Sequence, residues 1–338
     1  MDSLYVVEQG CYLRKDGESL KIMKGKKVIQ VIPASGLKRL VIAGWNSLTG
    51  SVLDFLIRHQ VDTVFMTPTG RFRARLLLDD TGHVELRQKQ YVRLADSSFK
   101  TASARAVVAG KLENHIRFLR RRASQRESQE LAAAALQIKA LSRQLEGEKD
   151  IDRIRGIEGY AARLLYGVFG LLITNEKFVF GGRNRRPPLD PVNALLSFVY
   201  TLLTNEVQNA IKVAGLDPYL GALHEPGRGR PSLACDLVEE WRAWGERMVL
   251  TLINRKAVEP GDFVVKRLRS NGDRPVEMKP AVCRALISAF ERQMGHRVYY
   301  PAGGETASLR VIMHAQARVF ARSLEQDAEI YRPFLLPY

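Results

Sequence analysis

Two stretches of this sequence bring carboxylates, an imidazole and guanidinium groups together at spacings that could serve phosphodiester chemistry. The richer is Leu223-His224-Glu225-Pro226-Gly227-Arg228-Gly229-Arg230-Pro231-Ser232-Leu233-Ala234-Cys235-Asp236-Leu237-Val238-Glu239-Glu240-Trp241-Arg242. Ser232 reads as a helix N-cap, and Leu233, Leu237, Trp241 and Trp244 then recur as a packing stripe, leaving Asp236 and Glu239 one turn apart on another face. His224 precedes the Gly-rich turn into this helix, so its imidazole could fold back beside them. That donor set suits Mn²⁺ or Mg²⁺. Taken singly, the two acids fit a solvated helix face and the histidine a structural role. Their company with Arg228 and Arg230 favours chemistry, because a metal plus guanidinium groups is what phosphodiester reactions require.

The second stretch is Arg155-Gly156-Ile157-Glu158-Gly159-Tyr160-Ala161-Ala162-Arg163. Ile154, Ile157, Ala161, Leu165 and Val168 form the apolar stripe of a helix, with Glu158 on its flank. A carboxylate half inside a packing face needs compensation, either from a bound cation or from a partner such as Arg155 or Arg163. A third cluster, Gly181-Gly182-Arg183-Asn184-Arg185-Arg186-Pro187-Pro188-Leu189-Asp190-Pro191-Val192-Asn193, is a basic loop ending in a helix start, with Asp190 at the cap and Pro191 in the first turn. Arginines held near a helix N-terminus suit phosphate contacts, although a solvated charge run is the alternative. Arg228-Gly229-Arg230-Pro231 also has the core pattern of a minor-groove AT-hook, but it lies between helical segments rather than in a free tail.

The elements that must position these residues divide into two kinds. Leu4–Val7, Cys11–Arg14, Leu20–Met23, Val28–Ile32, Arg39–Ala43 and Thr63–Met66 read as strands, with a helix over Ser47–His59. Arg71, Arg73 and Arg75 alternate along a further strand, where they face phosphate or simply solvent. Residues 79–99 lack clear periodicity. Beyond them helices are expected over Ser103–Ala123 and Gln125–Leu145, separated by a capping box at Ser124–Glu127, and then over 150–170, 191–213, 233–254, 279–294 and 307–326. The expected fold is therefore α+β: a β-rich domain at 1–80, a linker at 81–99 and a larger all-helical catalytic domain at 100–338.

Lys and Arg number 52 against 36 Asp and Glu, a net charge of +16, which attracts polyanions and points to nucleic acid. The longest nearly unbroken apolar stretch, Leu164–Ile173, is well short of a membrane span, and the N-terminus has no secretory pattern. A cytoplasmic protein with no membrane partner is expected. Cys11, Cys235 and Cys283 are far apart and suggest neither a disulfide framework nor a zinc site. There is no P-loop, no H-E-x-x-H and no strand-borne G-x-G-x-x-G, which removes nucleotide hydrolysis and dinucleotide chemistry.

Taken in order, these segments resemble the CRISPR-associated endonuclease and integrase family, the more catalytic of the two universal Cas proteins of spacer acquisition. The resemblance rests on Glu158 in its Glu-Gly-x-x-Ala-Arg stretch and on Arg186-Pro187-Pro188-x-Asp190-Pro191-x-Asn193-Ala194-Leu195-Leu196-Ser197-x-x-Tyr200. It rests equally on His224 with the run that ends at Glu239. It implies a divalent ion, Mg²⁺ or Mn²⁺, held by Glu158, His224 and Glu239, with Asp236 behind them or as an alternative ligand. It also implies that Arg242 faces phosphate, and the basic clusters above make Arg183, Arg186, Arg228 and Arg230 the further DNA contacts expected. The implied reaction inserts a captured double-stranded fragment into a CRISPR repeat by attack of a 3′-hydroxyl on a phosphodiester. The implied assembly is a homodimer formed through the β domains, with the small ferredoxin-like second Cas protein as partner. The competing class is a non-catalytic architectural DNA-binding protein whose acids are merely ion-paired.

Overall fold

A computed structural model of the chain describes residues 3–33, 35–68, 72–76, 82–184, 187–267, 275–325 and 330–337. The first part is made of short strands whose alternating apolar side chains need cover. They are β1 (Ser3–Val6), β2 (Tyr12–Asp16), β3 (Ser19–Lys24), β4 (Lys27–Pro33), β5 (Arg39–Ala43) and β6 (Ser47–Leu48), then helix α1 (Gly50–Arg58), β7 (Asp62–Met66) and β8 (Phe72–Leu76). They form two sheets. One has the order β1-β5-β7-β8 and the other β4-β3-β2-β6. Leu4, Val6, Leu40 and Ile42 of the first sheet meet Leu13, Leu20, Ile22 and Ile32 of the second, with Phe55 and Leu56 of α1 between them.

β5 is buried along its whole length. Because successive side chains point to opposite faces, Leu40 and Ile42 enter that core while Val41 and Ala43 join the core of the helical part, together with Val7, Val64 and Met66. The sheet is a wall shared by both parts. The same junction buries an ion cluster: Arg39 donates to Asp62 at 2.9 Å and to Glu206, while Arg310 holds Glu206 at 3.0 Å and Glu291 at 2.8 Å. Arg75 turns inward to Asp62 at 3.1 Å and so does not face phosphate, while the exposed Arg73 lies over Trp45 at 4.5 Å. Arg71 lies outside the described residues.

The helical part comprises α2 (Val84–Ala95), α3 (Ser97–Arg126), α4 (Gln129–Arg143), α5 (Ile151–Val168), α6 (Pro191–Val213), α7 (Ser232–Leu237) and α8 (Arg242–Asn254). After them come β9 (Phe263–Val265), β10 (Val276–Met278), α9 (Pro280–Met294), β11 (Arg297–Tyr300), β12 (Glu305–Ser308) and α10 (Leu309–Glu325). The order of a β-rich part followed by a mostly helical part is as expected, with two short antiparallel pairs, β9–β10 and β11–β12, added among the helices.

Three expectations need correction. Within the stretch expected as a linker lies a helix, α2, which buries only Gln90 and Leu94 and therefore shows no apolar period. Gln90 ties it down: its amide donates to the Asp217 and Leu220 carbonyls at 2.9 and 3.0 Å and accepts from the Asp217 N–H at 2.8 Å. The break after α3 comes one turn later than the expected capping box. Glu127 is left-handed at φ 50°, and Ser128, not Ser124, caps α4 by accepting from the Leu131 N–H at 3.3 Å. Finally, the helix expected over 233–254 is interrupted by a tight 3-10 turn at Glu239–Trp241 between α7 and α8. That interruption shapes the site.

Candidate active site

The break separates the two acids that helical spacing put on one face. Asp236, the last polar residue of α7, turns back toward the irregular segment 222–224. One carboxylate oxygen accepts the Ala222 and Leu223 N–H groups at 2.6 and 3.0 Å, and the other accepts the His224 N–H at 3.0 Å and its ring Nδ1 at 2.7 Å. Four donors fill the acceptor capacity of a carboxylate. The close approach requires a glycine at 221, since a Cβ there would sit 2.6 Å from an Asp236 oxygen and 2.7 Å from the Ser232 carbonyl carbon. With Nδ1–H donated to Asp236, the half-buried imidazole of His224 keeps Nε2 for another partner. Ser232 does not cap α7. Its hydroxyl donates to the Glu225 carbonyl at 2.9 Å and so closes the loop that carries Arg228 and Arg230.

Glu239, in the 3-10 turn, points the other way and is 3% exposed. Its Oε2 lies 2.6 Å from the ammonium of Lys111 on α3 and 2.8 Å from Nε of Arg242 at the start of α8. Burial opposes ionisation, but Arg242 and Lys111 outweigh it and hold the Glu239 carboxyl down at about 2. The same Lys111 ammonium also bonds Glu158 on α5. Glu158 is therefore compensated by a lysine from another helix, not by Arg155 or Arg163. Arg155 is engaged with Asp152 at 2.7 Å and Glu225 at 2.6 Å.

Behind this cluster, Arg242 lies over the Tyr200 ring at 4.6 Å and Arg183 over the same ring at 5.5 Å. The Tyr200 and Tyr166 hydroxyls converge on Glu246 of α8 at 2.7 and 3.1 Å, and His115 of α3 approaches its other oxygen at 3.0 Å. Burial works against the Glu246 charge, and His115 and Tyr200 outweigh it, so its carboxyl also sits at about 2. The basic loop is a clamp. Buried Asn193 accepts Arg183 at 2.6 Å and the Asn184 N–H at 3.1 Å, while its amide donates to the Gly182 carbonyl at 2.8 Å and to the capping Asp190.

The structure thus brings Glu158, His224, Asp236, Glu239, Arg183 and Arg242 into one cluster, while Arg228 and Arg230 stay exposed on the turn closed by the Gly227 carbonyl and Arg230 N–H at 2.9 Å. Arg183 and Arg242 also have internal partners, Arg183 in Asn193 and Arg242 in Glu239. Arg186 lies outside the described residues. Among the described residues, no three His, Cys, Asp or Glu side chains stand close enough as posed to hold a metal ion. Their chemistry nonetheless fits one, since two carboxylates grip a single shared positive charge and an imidazole nitrogen is left over. Lys111, His115 and Glu246 had no place in the reading of the sequence. Lys111 and His115 fall on the buried stripe Ala104, Val108, Lys111, His115, Phe118 of α3, and charged residues at apolar positions were the available signal.

Residues 4–292 match the family described as CRISPR associated protein Cas1. The chain belongs to this family. Among its Cas1 relatives is the CRISPR-associated endonuclease Cas1 1 of Chlorobaculum tepidum, 37% identical over 99% of this chain and 98% of that protein. Two solved structures share the fold. A casposase bound to integration product superposes with a TM-score of 0.84 at 23% identity, over 100% of this chain and 95% of that one. A Cas6-RT-Cas1–Cas2 complex superposes with a TM-score of 0.84 at 21% identity, over 99% of this chain but only 36% of that longer one. No described helix is long and apolar enough to cross a membrane.

Proposed function

We propose that this Cas1 protein is a divalent-metal-dependent DNA endonuclease and integrase that inserts captured fragments into a CRISPR array by attack of a 3′-hydroxyl on a phosphodiester. The observation that carries it is the meeting of Glu158 and buried Glu239 on one cationic position, the Lys111 ammonium, with His224 held nearby by Asp236, in a chain of net charge +16. The endonuclease name of a relative 37% identical along its length supports the same reading.

In this reading Glu158, His224 and Glu239 hold Mg²⁺ or Mn²⁺, with Asp236 behind His224 because its own oxygens are filled. When bound, the metal supplies charge neutralisation at the phosphate and helps ionise the attacking hydroxyl. Asp236 keeps the His224 proton on Nδ1, Arg242 fixes Glu239, and the exposed Arg228 and Arg230, the latter also bonded to the Cys235 thiol, present guanidinium groups to the DNA backbone. Self-association through the β domain is supported by edge strand β4, which exposes Val28, Ile29 and Val31. The second Cas protein is the proposed partner, in keeping with the Cas1–Cas2 complex that shares this fold, and the cytoplasm the proposed location.

The test is an integration assay with labelled fragments, a repeat-bearing plasmid and the second Cas protein. Glu158→Ala, His224→Ala and Glu239→Ala are each expected to abolish Mn²⁺- or Mg²⁺-dependent strand joining in a folded protein, and full activity of folded His224→Ala removes the reading. The architectural alternative is favoured by one observation, the ion pairing of both glutamates to Lys111. It predicts DNA binding without metal dependence or strand joining.

A further inference from the structure

Lys111 stands at the centre of the cluster, its side chain only 5% exposed and its ammonium between Glu158 and Glu239. An ammonium has three donors and no lone pair, so it cannot ligate a metal. The carboxylates it bridges are nonetheless two of the three donors assigned above to the divalent ion. A divalent ion and an ammonium repel at such distances, and one position between two carboxylates cannot hold both. Removing positive charge altogether is equally costly, because Glu239 is buried and Arg242 alone would have to balance both acids.

We propose that Lys111 is a placeholder cation: it closes the metal-free site by bridging Glu158 and Glu239, is displaced by the entering divalent ion, and thereby sets the metal affinity. This rests on the metal reading of the site. The displacement belongs to the side chain rather than to the helix. Gly110 beside it lies under Pro333, where even a Cβ would come within 2.3 Å, so α3 has no room to shift, whereas four methylenes let the ammonium swing. The way out is on the Glu158 side, 24% exposed against 3% for Glu239.

The test is equilibrium binding of Mn²⁺ to metal-free protein, read from the free-ion electron paramagnetic resonance signal, with melting temperatures in the presence of chelator. Lys111→Met and Lys111→Gln are expected to bind Mn²⁺ at least about tenfold more tightly than the unaltered protein, because a competing charge is gone. They should melt lower in chelator and recover with Mn²⁺. Lys111→Arg, which keeps the charge, should show no gain. If Lys111→Met fails to fold, Lys111→Gln decides, since its amide retains hydrogen bonds to both acids without the charge. Unchanged or weaker Mn²⁺ binding in folded Lys111→Gln overturns the placeholder role while leaving the metal reading intact. Absence of Mn²⁺ binding in the unaltered protein and in every variant removes the metal reading as well.

Discussion

At Asp236, four donors close on two oxygens, and that saturation determines what a substitution there does. An asparagine in its place presents an amide to at least one N–H group that needs an acceptor. Asp236→Asn is expected to cost about 2 kcal/mol of stability and to lower strand-joining activity about 10- to 100-fold by freeing the His224 ring. Urea unfolding and the integration assay measure the two effects. An Asp236→Asn protein of unaltered stability and activity would show that the 222–224 segment orients His224 unaided. Gly221→Ala should act through the same contact, because its Cβ would strike backbone as well as the carboxylate. A destabilisation of about 1–3 kcal/mol is expected for such overpacking, and a neutral result contradicts the tight approach.

Among the elements, the C-terminal segment 330–337 has no regular secondary structure, yet it is held tightly over α3 and the 3-10 turn. Phe334 stacks on Trp241 at 5.4 Å, and Asn114 of α3 bonds the carbonyls of Glu240 and Phe334 and the N–H of Leu336. Phe334→Ala is expected to cost about 3–5 kcal/mol in urea unfolding and to change Trp241 fluorescence. Buried Glu240 accepts from the Phe334 N–H at 2.7 Å and the Tyr331 hydroxyl at 3.0 Å. Burial outweighs these donors and pushes its carboxyl up from 4.5 to about 8. The folded protein therefore keeps a proton that the unfolded chain releases near 4.5, so this stabilisation is full below that pH and is lost as pH rises toward 8. In metal-free protein the melting temperature should fall between pH 5 and 8, and Glu240→Gln should flatten that fall. An identical pH slope in Glu240→Gln argues against a protonated Glu240.

Across the whole molecule, the β-rich and helical parts are joined by a sheet covered on both faces and by the buried Arg39, Asp62, Glu206 and Arg310 cluster. Arg39→Met strands Glu206, which is 2% exposed, and should cost about 3–5 kcal/mol. A variant that unfolds with the unaltered midpoint would mean Arg310 alone compensates Glu206. Long-range charge acts on the same scale. Each phosphate neutralised contributes about −0.9 to the slope of log affinity against log salt on duplex DNA. Replacing Arg228 and Arg230 together should therefore flatten the slope by roughly two, equally for two unrelated duplexes. An unchanged slope removes them from the DNA interface.

The period of its apolar residues, its charge and its cap residues let the sequence by itself determine the α+β order, most of the helices and strands, and the stretches around Glu158 and His224–Glu239. Local patterns report local structure. What only the tertiary structure decided is how those stretches meet. Helical spacing placed Asp236 and Glu239 side by side, but the 3-10 turn after Leu237 sends one back to His224 and the other into the core. Arg183 reads as a phosphate contact from its basic loop and Arg242 from the family resemblance, and only the packing shows that Asn193, Tyr200 and Glu239 also hold them. Lys111 lies 47 positions from Glu158 in the chain, and α2 hides its period because one buried glutamine anchors it. Such pairings depend on which helices pack together, and the burial that drives that packing is non-directional, so no short stretch of sequence encodes them.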